Sequence, residues 1–305
     1  MEYTINAVPK RVTQMRKAWA MGDAKRDAGL KEPDTLDKFR NISYGPYDDW
    51  NLLDVYIPSD KWNAGKLPVI VSIHGGGYFY GDKELYRFYC MHLAEFGFAV
   101  ININYRLAPE FRFPSPLEDA MEVMGWIDKN ADEYSLDKAN VFMVGDSAGA
   151  QIVSQFACIY TNPAYAELFG LKAPENVKLR AISLACGMYK LPERAHSEKD
   201  DKIMTDYLGD MSRRFDPKVE LHSNINENYP PTYIFTSYCD YLFTECKPMA
   251  DFLEEKGIEV CAKVYGTKKA KEIGHVFHCN MRLPEGEKAN RDQTDFFKKH
   301  IVIQS

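Results

Sequence analysis

No run of apolar residues in this 305-residue chain approaches the ~18 needed to cross a bilayer as a helix. The opening MEYTINAVPKRV also lacks the 7–15-residue apolar stretch of a secretory leader. The chain is therefore expected to be soluble and cytoplasmic, without a membrane span. Its seven cysteines (Cys90, Cys158, Cys186, Cys239, Cys246, Cys261 and Cys279) contain no CxxC pair and no zinc-type Cys/His grouping, so neither a metal site nor a disulfide framework is expected. Basic blocks are missing too: the formal net charge is -6, with lysine and arginine scattered among acids, which excludes an electrostatic footprint for nucleic acid. There is no internal repeat and no low-complexity tract.

What is present is an ordinary globular composition, 45% hydrophobic and 27% charged, ample for a large core. From about residue 52, short β-rich runs alternate with helical stretches. LDVYIP, PVIVSIH, AVININY, NVFMVG, KLRAISLAC, PTYIFTS and EVCAKVYG read as strands, several of them apolar at nearly every position, as strands buried on both faces are. Between them SPLEDAMEVMGWIDKNA, AGAQIVSQFACIYT and ECKPMADFLEEKG carry helical periodicity. This order predicts an α/β fold with a mostly parallel sheet covered by helices on both faces. Ligands of such sheets bind at the carboxyl ends of the strands.

Two regions break the rhythm. Residues 1–40 look helical and charged and precede the first predicted strand. Residues 188–225 insert polar helical sequence after a late strand. Both are compatible with surface decoration, and also with a helical cap over the active face. The expected organisation is an N-terminal helical cap segment at 1–40 and a catalytic domain at 41–305, with a cap insertion at about 188–225.

The chemistry-bearing residues follow the strands. Gly145-Asp146-Ser147-Ala148-Gly149 is a G-x-S-x-G, a pattern that chance produces in roughly one chain in ten of this length. Its place between a strand and a helix is what gives it weight. A nucleophilic serine needs a sharp strand-to-helix turn, and the amide of Ala148 at the helix start can face a developing oxyanion. His74-Gly75-Gly76-Gly77 directly follows PVIVSI, and consecutive glycines let bare amides approach a ligand. His74 itself reads as a structural residue that holds the loop. An acid and a base must follow the serine, in that order, on loops after strands. Asp240 follows PTYIFTSYC, and His275 follows EVCAKVYG and a short lysine-rich loop. His278 competes for the role of base, but Gly274 gives His275 the more exposed tip. His92, His196, His222 and His300 have no motif context. Tyr78 and Asp146 are further candidates for the substrate pocket, and Tyr78, Phe79, Tyr80, Tyr189 and Tyr207 suit either a pocket lining or the core.

HGGGY, YRLAPE (residues 105–110) and GDSAG at these mutual distances resemble the hormone-sensitive-lipase-like family of carboxylesterases, from about residue 50 to 300. The resemblance implies an α/β-hydrolase fold of about eight strands with a helical cap. It also implies Ser147 as nucleophile, Asp240 as acid, His275 as base, and oxyanion donors at Gly76, Gly77 and Ala148, with no cofactor. Three positions depart from the family pattern: Asn104 stands where aspartate is usual, Tyr241 where proline follows the triad acid, and Val276 where glycine follows the histidine. The expected partner is a small or short-chain acyl ester, cleaved through an acyl-enzyme in a reaction that speeds up as a histidine base loses its proton. An amidase or formamidase would use the same triad, and a non-catalytic small-molecule receptor would share the fold but lose a triad member. A homodimer through the last strand and terminal helix is compatible with this reading.

Overall fold

The structure, a computed structural model, describes residues 5–190 and 198–303. Eight strands form one sheet: β1 (Leu36–Ser43), β2 (Leu52–Pro58), β3 (Leu67–Ile73), β4 (Ala99–Ile103), β5 (Leu136–Asp146), β6 (Leu179–Ala185), β7 (Thr232–Ser237) and β8 (Val260–Tyr265). Their spatial order is β1-β2-β4-β3-β5-β6-β7-β8. β2 pairs antiparallel with both β1 and β4, and from β4 onward the sheet is parallel.

The apolar runs are explained by two cores. Val69, Val71, Ile73, Val141, Met143, Ile182 and Leu184 point to one face. Ile70, Phe142, Val144, Ala181 and Phe235 point to the other. On the first face lie α3 (Ser115–Asn130), α4 (Ala148–Thr161), α5 (Pro163–Phe169) and α7 (Phe243–Glu255), and on the second α2 (Lys83–Glu95) and α8 (Pro284–Lys299). Both residue parities of each central strand are thus buried, and period-2 alternation disappears.

Seven strands coincide with the runs read from the sequence. β1 does not, and it corrects the expected boundary of the helical segment at residue 40. The helix α1 covers only Lys10–Asp27, and residues 36–40 are already strand. β1 escapes a hydrophobic reading because it is an edge strand whose register breaks between Phe39 and Ile42, with Asn41 at φ 56. Five of its eight residues are polar, as an edge facing solvent allows. The expected insertion at 188–225 lies partly outside the described residues. The described part contains α6 (Glu198–Leu208) and short 3-10 turns at Met211–Phe215 and His222–Asn224.

The chain passes from β3 to β4 on one side and then crosses to β5 on the other side of β3. The loops after β3 and β5 therefore diverge from adjacent strands, Ile73 being paired with Gly145. A crevice opens at such a switch point because the two crossovers run to opposite faces. HGGG and GDSAG both lie at this crevice.

Candidate active site

Ser147 sits between β5 and α4 with φ 53 and ψ -118. A non-glycine residue in this region costs of order 1–3 kcal/mol and persists only when its surroundings over-determine it. Here the Ser147 amide donates to the Ala185 carbonyl at 2.9 Å, and the turn is so tight that a Cβ on Gly149 would lie 2.2 Å from the Ile73 carbonyl oxygen. The result is a serine hydroxyl presented at the carboxyl edge of the sheet.

His275 reaches this hydroxyl, with Nε2 3.0 Å from Ser147 Oγ. Its Nδ1 lies 2.7 Å from Asp240 Oδ1. Asp240 is buried, and it also accepts from the Leu242 amide at 2.9 Å and from Thr236 Oγ1 at 2.7 Å. Burial by itself would raise the pKa of this carboxyl. The hydrogen bond and charge of His275, followed by the Leu242 and Thr236 donors, outweigh it and hold the group below its ordinary value. A carboxylate beside Nδ1 fixes one imidazole tautomer and leaves Nε2 able to accept the serine proton.

The loop after β3 bends over the serine. Gly76 and Gly77 have φ 115 and 60, followed by Tyr78 at 68. A Cβ on Gly76 would fall 1.9 Å from the Tyr80 carbonyl oxygen, so only glycine fits there. No acceptor for the Gly76 or Gly77 amide is present among the described residues, and Ala148 opens α4, where the first amides have no intrahelical acceptor. His74 is buried, with Nδ1 2.7 Å from the Gly75 carbonyl and its ring stacked on Tyr105 at 4.2 Å. Burial lowers its pKa to about 4, which keeps it neutral.

His278 takes no part in this arrangement. It is buried behind the serine turn, its pKa lowered to about 3 mainly by burial. Asp146 is buried and accepts from Tyr86 Oη at 2.8 Å, and burial pushes its carboxyl up to about 6. Tyr78 is buried as well, stacked on Tyr207 of α6 with centroids 3.9 Å apart. Both Asp146 and Tyr78 line a cavity of about 570 Å³ that contains Ser147 and His275. Tyr80 lines it too, whereas Phe79, Tyr189 and Tyr207 are core residues that do not.

Much of the wall was not foreseen. Trp19, Asp23 and Arg26 come from α1, Met188 follows β6, Ile203 and Met204 belong to α6, and Tyr241 and Leu242 follow Asp240. The one available signal was Trp19, a lone large aromatic on a highly charged helix. Tyr241, the departure after the triad acid, places its hydroxyl 3.1 Å from His275 Nε2 and its ring centroid 4.2 Å from the imidazole. Asn104, the departure before YRLAPE, accepts from the Lys83 amide at 2.7 Å at the start of α2, a cap that a neutral amide oxygen performs as an aspartate would. Val276 occupies the left-handed region at φ 51, which explains why glycine suits that position.

Cys186, Asp240 and His275 bring ligand-type atoms within 4.8 Å of one another, as do Asp146, His278 and Cys279. The first set includes the two residues that orient the serine, and the Cys186 thiol is held well above its ordinary value, chiefly by burial. All seven cysteines are free thiols. No helix among the described residues is long and apolar enough to cross a membrane.

A strand-to-helix serine after β5, a buried carboxylate after β7 and a histidine after β8, all parallel strands, define a hydrolase site of the α/β type. The model of the alpha/beta hydrolase fold family matches residues 70–278, and the chain belongs to that family as one of its hormone-sensitive-lipase-like carboxylesterases. Probable carboxylesterase 6 of Arabidopsis thaliana is 27% identical over 258 residues, covering 80% of this chain and 72% of that protein. Ethyl acetate hydrolase of Pseudomonas putida is 28% identical over 215 residues, covering 68% of this chain and 66% of that protein. Among solved structures, esterase B of Lactobacillus rhamnosis, crystallised with a tributyrin phosphonate, superposes with a TM-score of 0.85 at 24% identity over 96% of each chain.

Proposed function

We propose that the protein hydrolyses small carboxylic esters with short, acetyl-like acyl groups through an acyl-serine intermediate. Ser147 Oγ attacks the ester carbonyl carbon while His275 Nε2 takes its proton. The carbonyl oxygen gathers negative charge, and the amides of Gly76, Gly77 and Ala148 meet it. The tetrahedral species collapses, the C–O bond to the alcohol breaks, and Nε2 returns the proton to the departing oxygen. Water then repeats the sequence on the acyl-serine and releases the acid. Asp240 stays ionised throughout and stabilises the imidazolium formed in each half.

The observation that carries this reading is the continuous chain from Ser147 Oγ to Nε2 at 3.0 Å and from Nδ1 to Asp240 at 2.7 Å. A cavity of about 570 Å³ walled by Trp19, Met188, Ile203, Met204 and Leu242 supports a small-molecule ester with an apolar part. The names of similar proteins, an ethyl acetate hydrolase among them, point the same way. In this reading α1 and α6 act as the cap, since both supply cavity wall from outside the sheet.

Hydrolysis of p-nitrophenyl esters from acetate to decanoate, wild type beside Ser147→Ala, tests the proposal. Serine-dependent turnover that declines with chain length is the expected result. Wild-type rates in Ser147→Ala, or faster cleavage of the matching anilides, would remove the esterase assignment.

A further inference from the structure

The helix α1 contributes little to either core: Val12 is its only buried residue. Polar contacts hold it instead, and the densest of them is Arg16. Its Nε donates to the Phe79 carbonyl at 2.6 Å, its Nη1 to Glu110 Oε1 at 2.7 Å, and its Nη2 to Glu110 Oε2 at 2.8 Å and to the Ala108 carbonyl at 3.1 Å. Glu110 is 7% exposed, so the fork-on-fork pair is partly shielded from water. Arg16 thereby joins the loop after β3 to the YRLAPE segment after β4.

What it grips is a loop in an unfavourable conformation. Gly76, Gly77 and Tyr78 occupy the left-handed region in succession. The turn is closed by the Phe79 and Tyr80 amides donating to the Gly76 carbonyl at 3.2 and 3.0 Å. Outside the turn, the Tyr78 carbonyl accepts from the Ala108 amide at 2.9 Å. The Ala108 carbonyl and the Phe79 carbonyl both accept from Arg16. Phe79 further packs its ring against Trp19 of α1 at 4.9 Å. Without the guanidinium, the Phe79 carbonyl and a shielded carboxylate lose their partner together, and a strained turn relaxes when its external contacts go.

We infer that Arg16 is a positioning residue for the oxyanion hole, so that docking of the N-terminal helix and alignment of the Gly76 and Gly77 amides are a single event. The inference rests on the proposed role of those two amides. An oxyanion contact must be aimed at the transition state rather than at the substrate, so misalignment lowers kcat far more than it raises KM.

The test compares full-length wild type, Arg16→Gln and Arg16→Lys on p-nitrophenyl acetate, together with amide hydrogen exchange across the whole chain. Arg16→Gln is expected to lose about 10- to 100-fold in kcat, a fraction of the effect of deleting one donor outright, with KM within about threefold. Arg16→Lys, which offers a single point of donation, falls between. Guanidinium ion at tens of millimolar restores part of the Arg16→Gln rate. The Phe79 and Tyr80 amides exchange faster in Arg16→Gln, while β3 and β5 keep their protection. A kcat within twofold of wild type, or a rate loss that tracks protection lost evenly across the sheet, would overturn the assignment. Should the wild type hydrolyse no ester at all, the proposed function fails on its own. Unchanged exchange at Phe79 and Tyr80 would then still refute the role of Arg16, and local loss there would uphold only its coupling of α1 docking to the glycine turn.

Discussion

Replacement of Asp240 by asparagine isolates what the carboxylate does for His275. The side chain keeps its shape, but the Leu242 amide donates to Oδ1 and the Thr236 hydroxyl to Oδ2, at 2.9 and 2.7 Å, so the single oxygen of asparagine serves only one of these positions. Two things change. The transition state forms an imidazolium beside a neutral group instead of an anion whose oxygen lies 2.7 Å from Nδ1. For charge centres about 4 Å apart at an effective dielectric of about 20, that interaction is worth about 4 kcal/mol, or roughly a thousandfold in rate. Secondly, when the amide NH2 takes the Oδ1 position, which also faces the Leu242 amide, it turns Nδ1 into an acceptor, so the proton moves to Nε2, where it blocks uptake of the serine proton. In triads studied elsewhere, charge and tautomer together cost about 10⁴ in kcat. Asp240→Asn is accordingly expected to lose 10³- to 10⁴-fold in kcat on p-nitrophenyl acetate, with KM little altered and the thermal melt close to that of wild type. A loss below tenfold in a folded protein would refute the view that Asp240 orients and stabilises the base.

Three further outcomes follow from the same geometry. Gly76→Ala forces a Cβ to within 1.9 Å of the Tyr80 carbonyl at φ 115, and about 10²- to 10³-fold lower kcat is expected; near-normal turnover would place the oxyanion donors elsewhere. Tyr241→Phe removes a hydroxyl 3.1 Å from Nε2 that competes with Ser147 for one lone pair. A net hydrogen bond of about 1 kcal/mol predicts a two- to fivefold rise in kcat/KM, and a tenfold fall would show that the hydroxyl assists. Asp146, raised by burial to about 6, binds its proton more tightly folded than unfolded. Its contribution to stability therefore declines as pH rises from about 4 to about 6. Urea unfolding at pH 4, 5 and 6 should show wild type losing ground to Asp146→Asn across that window, and parallel curves would contradict it.

Seven of the eight strands were legible because they are buried on both faces, which makes each a dense apolar run that stands out from its neighbours. The meeting of Ser147, Asp240 and His275 was legible for a related reason. Ser147, Asp240 and His275 each follow such a strand, and parallel strands deliver all their carboxyl ends to one edge, so chain order alone brings the three side chains together. His275 was separable from His278 only through the glycine before it, and the structure gives the cause: one imidazole faces the cavity while the other is buried behind the serine turn.

What remained hidden depends on tertiary contact without a periodic trace. The edge strand β1 has one neighbour and a polar outer side, so it resembles any charged segment. The cavity wall from α1 is set by where a weakly amphipathic helix docks, and that docking is fixed by Arg16 on Phe79 and Glu110 and by Arg11 on Asp206 at 2.5 Å. Those partners are 63 to 195 positions apart in sequence. Local sequence encodes propensity, burial and turn chemistry, and so it determined the fold and which candidate groups gather at the carboxyl edge of the sheet. Which polar side chain meets which across the closed fold depends on the assembled geometry, and only the tertiary structure decided it.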